Sequence, residues 1–288
     1  MAADQRHAAA AKVSRLARAK VQTLCTLAGV YHYDDVFEKF IRWNKYTGEA
    51  SVLFARRIHQ VIRQRQVLFI HVPKNAGTSI STAVYGCTLG HKTAFFYRKA
   101  DLALFEGAKR FAVLREPIER FLSAYSFIQN GGGEHVVVNP RFSPILKKLK
   151  TVDSTLDFVE ENMSDIYQIV HVLRPQSWFI MDMSGNLLIE NIFILGVHDK
   201  ELGQFLNRLD VTGLQVLNRT QRWPIVLTPS QMDRVQRIYQ LDSSLIAQVR
   251  TCGPEIGRLH SVRRKESLKH AASGPFSGEW VTVPRYGV

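Results

Sequence analysis

The sequence predicts an α/β protein: a parallel β-sheet flanked by helices. Three observations carry this. Short apolar runs recur at VLFIHV (Val67–Val72), RFAVLR (Arg110–Arg115) and LLIENIFILG (Leu187–Gly196). They lack the strict alternation of a half-exposed strand, as expected of strands buried on both faces. Each run is followed by a stretch with three- and four-residue apolar spacing, and strands alternating with helices give a parallel sheet. The chain has 288 residues, 45% hydrophobic and 22% charged. That is ordinary globular composition, and a chain of ~300 residues buries roughly 75% of its extended-state surface.

In chain order, residues 1–66 read as a basic helical extension packing on the core, with twelve Lys/Arg against five Asp/Glu. YDDVFEKFIRWNKY shows helical recurrence there. The opening MAADQRHAAAAKVSRLARAK lacks the continuous apolar core of a secretory signal. It reads as a surface helix, with an Arg-rich transit segment as the alternative. The strand Val67–Val72 is bounded by Pro73, and a helix follows over Ser79–Tyr85. The strand ending at Arg115 runs into EPIERFLSAYSFI, with Pro117 at the first helical position. Ile118, Phe121, Leu122, Tyr125 and Ile128 share one face of that helix. NGGGEHVVVNP, Asn130–Pro140, is a loop. TLDFVEENM and SDIYQIVHVL read as short helices, and Leu187–Gly196 as the next strand. KELGQFLNRL is helical, and Thr228–Val249 reads as one long helix opening on a capping Thr-Pro. The organisation is therefore 1–66 extension, 67–250 α/β domain and 251–288 basic tail.

The net charge of +13 attracts polyanions, whether nucleic acid, anionic membrane, acidic saccharide or nucleotide, without choosing among them. Cys25, Cys87 and Cys252 are odd in number and dispersed. That argues against a disulfide framework or zinc cluster and fits a reducing compartment. Cys87 reads as a small buried thiol. No apolar run approaches the ~20 residues that span a bilayer.

The chemistry concentrates at HVPKNAGTS. A loop after a parallel strand lies at the sheet's ligand-binding edge. Here it offers backbone N–H groups at a helix N-terminus, with Gly77 permitting close approach. Thr78 and Ser79 add hydroxyls, and Lys74 adds a positive charge. The pattern is not GxxxxGK[ST], because the lysine precedes the glycine. A second strand ends at Arg115, with Ser123 eight residues on. A guanidinium there needs an anion or a carboxylate, with Glu116 or Glu119 as the structural alternative.

HVPKNAGTS with FAVLREPIERFLSAY resembles the two cofactor loops of sulfotransferases that use 3′-phosphoadenosine 5′-phosphosulfate, of the carbohydrate-type, Golgi-like family and its bacterial relatives. The resemblance spans roughly Val67–Val249 and implies the P-loop-like sulfotransferase fold. It places Lys74, Asn75, Ala76, Gly77, Thr78 and Ser79 on the 5′-phosphosulfate, and Arg115 and Ser123 on the 3′-phosphate. VLNRT resembles a late segment that returns to the nucleotide, through Arg219 and Thr220. GHKTAFFYRKAD resembles the segment between the loops, where Gly-His occurs, and RPQSWFI an acceptor-side Pro-Gln segment. The family's asparagine after the arginine is Glu116 here, which adds a negative charge near a phosphate site.

The implied reaction is in-line transfer, dominated by positioning and electrostatics. Lys74 is the candidate to stabilise the bridging oxygen. His91 is the first candidate base and His171 the second, while His71 reads as a core histidine. Trp223 with Arg222 is the candidate adenine contact. No metal is expected. The implied acceptor is a saccharide, glycolipid or small molecule, with peptide tyrosine left open. No nucleic acid is expected as partner, peripheral membrane contact is left open, and the oligomeric state is undetermined. The initial Met and the absence of an anchor point to a cytoplasmic bacterial enzyme. Two other classes stand beside this reading: a nucleotide-dependent phosphotransferase, and a non-catalytic polyanion-binding module.

Overall fold

The structure, a computed structural model, describes residues 21–43, 59–133, 142–211 and 225–255. The expectations placed on Arg219, Thr220, Arg222 and Trp223, on most of the triglycine loop and on the outer termini lie outside these residues.

Three strands form a parallel sheet in the order β1 (Val67–Ile70), β2 (Lys109–Leu114) and β3 (Asn191–Ile194). Phe69 pairs with Phe111, and Phe111 with Asn191. All four residues of β1 are buried, which explains the unbroken apolar run. The runs expected for β1 and β3 are longer than the observed strands, and β2 is shifted one residue toward the N-terminus, because the ladder stops before the loops that carry the polar groups.

Helices follow each strand. After β1 come α2 (Gly77–Tyr85), α3 (Ala94–Ala100) and α4 (Leu102–Gly107). The helix α2 begins two residues before the sequence reading placed it. Its Tyr85 hydroxyl accepts from Phe69 N–H at 2.8 Å and donates to Val67 O at 2.9 Å, so it is tied to β1 at both groups. After β2 comes α5 (Pro117–Gln129), with Pro117 in its first turn as expected. There follow α6 (Ser143–Leu146), α7 (Val152–Asn162), two single 3₁₀ turns at Ile166–Gln168 and His171–Leu173, and α8 (Ser177–Ile180). The 3₁₀ turns replace the continuous helix expected over SDIYQIVHVL. After β3 come α9 (Asp199–Asn207), α10 (Pro229–Ile238) and α11 (Gln240–Cys252).

The single helix expected over Thr228–Val249 is thus two. The break falls at Tyr239 (φ −109°, ψ 30°), whose buried hydroxyl donates to Leu173 O at 2.7 Å. Apolar spacing alone cannot report such a break, because the buried face continues across it. Cys87 is exposed, not buried: Gly86 in the left-handed region (φ 71°) ends α2 and the chain turns outward.

The helix α1 (Tyr33–Trp43) belongs to the N-terminal extension but is built into the same body. Glu38 accepts from Thr93 Oγ1 at 2.7 Å and from Arg42 Nε at 2.8 Å. The Arg42 guanidinium lies 3.9 Å from the ring centroid of Trp178. Asp35 takes a two-pronged pair from Arg174, at 2.8 and 2.7 Å. Among the described residues no helix is long and apolar enough to cross a membrane.

Candidate functional site

At the end of β1 the chain turns into α2 through Lys74 and Ala76, with φ of 70° and 59°. Such left-handed residues cost of order 1–3 kcal/mol each unless glycine and persist where surroundings over-determine them. The surroundings are visible. Asn75 is 1% exposed and donates Nδ2 to Val113 O at 2.9 Å and to Gln176 Oε1 at 2.7 Å. The Arg120 guanidinium donates Nε to Pro73 O at 3.1 Å. Ala76 has no side-chain oxygen, and no side chain caps α2. An uncapped helix start behind a strained loop is an anion site in form.

Gly77 has a nearer reason than ligand approach. A Cβ there would lie 1.9 Å from Cδ2 and 2.2 Å from Nε2 of His71. The imidazole occupies the space of the missing side chain. Asn75 likewise spends its amide inward, on β2 and Gln176. Thr78 and Ser123 are half-buried, Ser79 is buried and Ala76 is exposed.

Three cations converge on this loop. The Lys74 ammonium sits 4.2 Å from the ring centroid of Phe127. Burial first, then the charges of Arg115 and Arg120, lower its pKa to about 8. Arg115 leaves the end of β2 and donates to Glu119 at 3.0 Å, a carboxylate whose side chain is 52% exposed. Ser123 stands one turn beyond Glu119 on the same face of α5. Glu116, the residue that departs from the family pattern, is drawn to Arg250 at 2.6 Å.

Arg120 was not singled out by the sequence. It is 2% exposed, and burial lowers its pKa against the pull of Tyr239 and Asp242. Among the described residues its Nη2 has no hydrogen-bond partner. The available signal was an arginine directly before Phe121, within the buried face of α5. Asp242 was also missed. It accepts from Gln176 N–H at 2.7 Å and Ser177 N–H at 2.8 Å, and burial raises its pKa.

Beside the cradle lies a row of imidazoles. His71 and His91 have ring centroids 4.3 Å apart, His91 and His171 5.7 Å, and His171 and His32 3.6 Å in a stack. Each hydrogen bond selects a tautomer. His71 Nδ1–H donates to Leu89 O at 2.9 Å, and His91 Nδ1–H to His71 O at 3.2 Å. His171 Nε2–H donates to Asp35 at 3.0 Å. The lone pairs therefore sit on Nε2 of His71 and His91 and on Nδ1 of His171.

All four rings are held neutral. Burial lowers His71 to about 4. Burial, with the neighbouring rings His71 and His171, drives His91 well below the ordinary imidazole value. Burial and Arg174 lower His171 against the opposing pull of Asp35, and burial, with His171, lowers His32 far below the ordinary imidazole value. Burial alone would raise Asp35, but Arg174 and His171 hold its carboxyl below the usual range.

A cavity of about 420 Å³ adjoins Tyr31, Phe158 and Gln168, and neither the cradle cations nor His91 line it. Among the described residues no group of three or more His, Cys, Asp or Glu is arranged to hold a metal ion.

A family model described as the sulfotransferase family matches residues 60–273 of the chain. Comparison with curated proteins and with solved structures returned no match. The matched span contains both strand-end loops, His91, His171 and Gln176, and begins after α1.

Proposed function

The chain belongs to the sulfotransferase family, and from that premise we propose that it transfers the sulfuryl group of 3′-phosphoadenosine 5′-phosphosulfate to a hydroxyl or amine of a saccharide-like acceptor. The observation that carries this reading is the convergence of the loops bearing Lys74 and Arg115: Asn75 and the Arg115 N–H share the Gln176 Oε1 acceptor, and the Arg115 charge acts on the Lys74 ammonium. Like charges brought together at an uncapped helix start are costly unless an anion joins them. A molecule with two separate phosphates fits: one group at the α2 N-terminus with Lys74, Thr78 and Ser79, the other at Arg115 and Ser123.

The bound donor would supply the activated sulfuryl group and its phosphate leaving group. The chain's residues do the rest. Lys74 neutralises charge growing on the bridging oxygen, where a preorganised cation needs no reorganisation. Arg115 exchanges its exposed partner Glu119 for a phosphate and makes charge-assisted bonds. His91 takes the acceptor proton on Nε2, since its Nδ1–H is committed to the His71 carbonyl. His91 ranks ahead of His171 because it touches His71, the ring that abuts Gly77 of the cradle. We place the enzyme in a reducing, cytoplasmic setting of a bacterial cell, with peripheral membrane contact left to the basic surface.

The test is incubation with labelled donor and a panel of glycans, glycolipids and tyrosine peptides. The reading expects a labelled glycan product without added metal. Turnover of ATP with magnesium, and none of the sulfate donor, would contradict it.

A further inference from the structure

We propose that Gln176 is a positioning residue that sets the separation of the two phosphate grips, so that the site selects a nucleotide by the distance between its phosphates. This rests on the donor reading above. The observation behind it is a single buried side-chain amide that joins both loops.

Gln176 is 0% exposed. Its Oε1 accepts from Arg115 N–H at 2.9 Å and from Asn75 Nδ2 at 2.7 Å, and its Nε2 donates to Arg115 O at 2.8 Å. The amide thus gives Arg115 both bonds that a neighbouring strand would give. The neighbouring strand has run out by then: Leu195 N–H bonds to Leu114 O, and the β2–β3 register ends at Leu114 and Ile194. On the other side the β1–β2 register ends at Ile70 and Ala112, and the Asn75 amide bonds to Val113 O in its place. Two side-chain amides therefore extend the sheet past its last rungs, into the loops that carry Lys74 and Arg115. The clamp is rooted by the Gln176 N–H on Asp242 of α11.

The residue type is demanding. Glutamate lacks the donor for Arg115 O, leucine lacks all three bonds, and asparagine is a methylene too short. A fixed span matters because capture of a second phosphate on the same ligand is intramolecular, and its gain depends on the two sites matching the ligand's reach. Without the clamp each grip still meets a phosphate, but the advantage of carrying both declines.

The experiment is calorimetric titration of the full chain with adenosine 3′,5′-bisphosphate, adenosine 5′-monophosphate and adenosine 3′-monophosphate. Wild type, Gln176→Leu, Gln176→Glu and Asn75→Ala are compared. In Gln176→Leu the preference for the bisphosphate over either monophosphate is expected to fall by about tenfold or more, with monophosphate affinities within about threefold of wild type. Asn75→Ala, which cuts one of the three bonds, gives a smaller fall. If Gln176→Leu does not fold, judged by thermal unfolding, Gln176→Glu and Asn75→Ala carry the same comparison. An unchanged preference in the folded variants, or equal weakening of all three ligands, overturns the proposal. A wild type that binds no bisphosphate overturns the donor reading itself.

Discussion

The cradle and the histidine row lie side by side, yet they are built on opposite electrostatic terms. The cradle gathers Lys74, Arg115 and Arg120, and their mutual repulsion helps pull Lys74 down to about 8. The row gathers four imidazoles, and burial keeps them uncharged. One region holds charge that an anion would satisfy. The other holds lone pairs that a proton would satisfy. The pairing suits a reaction in which a sulfuryl group and a proton move at adjacent points, and each prediction probes whether the two halves are separable.

The largest effect is expected from His91→Ala. Loss of a positioned base costs typically 10²–10⁴ in rate, so kcat should fall by about that factor in steady-state assays. Affinity for adenosine 3′,5′-bisphosphate, measured by calorimetry, should stay near wild type. Full activity in this variant would remove the base assignment and unlink the row from the chemistry.

Lys74→Ala comes next. Removing one transition-state donor costs roughly 3–4 kcal/mol, or about 10²–10³ in kcat. Arg115→Ala is expected to act chiefly on the KM for the donor, by about one to two orders of magnitude, since hydrogen bonds to charged groups contribute roughly 1.5–3 kcal/mol. Equal effects of the two variants on kcat would erase the division of labour between the loops.

Gly77→Ala reads the physical seam between the regions, because the added methyl would overlap the His71 ring. Overpacking of this kind costs typically 1–3 kcal/mol, visible as a lowered denaturant midpoint. A variant as stable as wild type would mean that the ring can move aside.

The pH effects need no substitution, and they run in opposite directions in the two regions. Burial holds His71 at about 4 in the folded chain, below the ordinary imidazole value of 6.5. The unfolded chain therefore binds its proton first on acidification. Stability is full above 6.5 and declines as pH falls toward 4, by roughly 1.4 kcal/mol per pH unit per imidazole. Asp35 adds nothing to that decline, since its stabilisation is full above the ordinary carboxylate value of 3.8 and is lost only below it. The cradle responds from the alkaline side: above about 8 the unliganded Lys74 loses its proton, and anion affinity should weaken. Denaturant melts and calorimetry across pH measure the two limbs separately.

What could be read from the chain follows the same division. The cradle is local: a strand, a loop and a helix start lie within one short stretch, so HVPKNAGTS shows its parts in sequence. The sheet was legible for the same reason, since burial on both faces writes itself as an unbroken apolar run. The histidine row is assembled from His32 and Asp35 on one side and His71, His91, His171 and Arg174 on the other, and only packing brings them together. Gln176 was read as part of an acceptor-side segment, yet its side chain spans both donor loops. Spacing could not show that, because its partners are 101 and 61 residues away. Arg120 and Asp242 hid for a related reason: each is a charge inside a helix whose apolar face defines the pattern, and burial becomes evident only in three dimensions.

The measurement closest to the central claim is a crystal structure of the chain with adenosine 3′,5′-bisphosphate. The account predicts the 5′-phosphate at the start of α2 against Lys74, Thr78 and Ser79, and the 3′-phosphate on Arg115 and Ser123, with Glu119 released. A nucleotide bound elsewhere, or one whose two phosphates do not bridge Lys74 and Arg115, would contradict it.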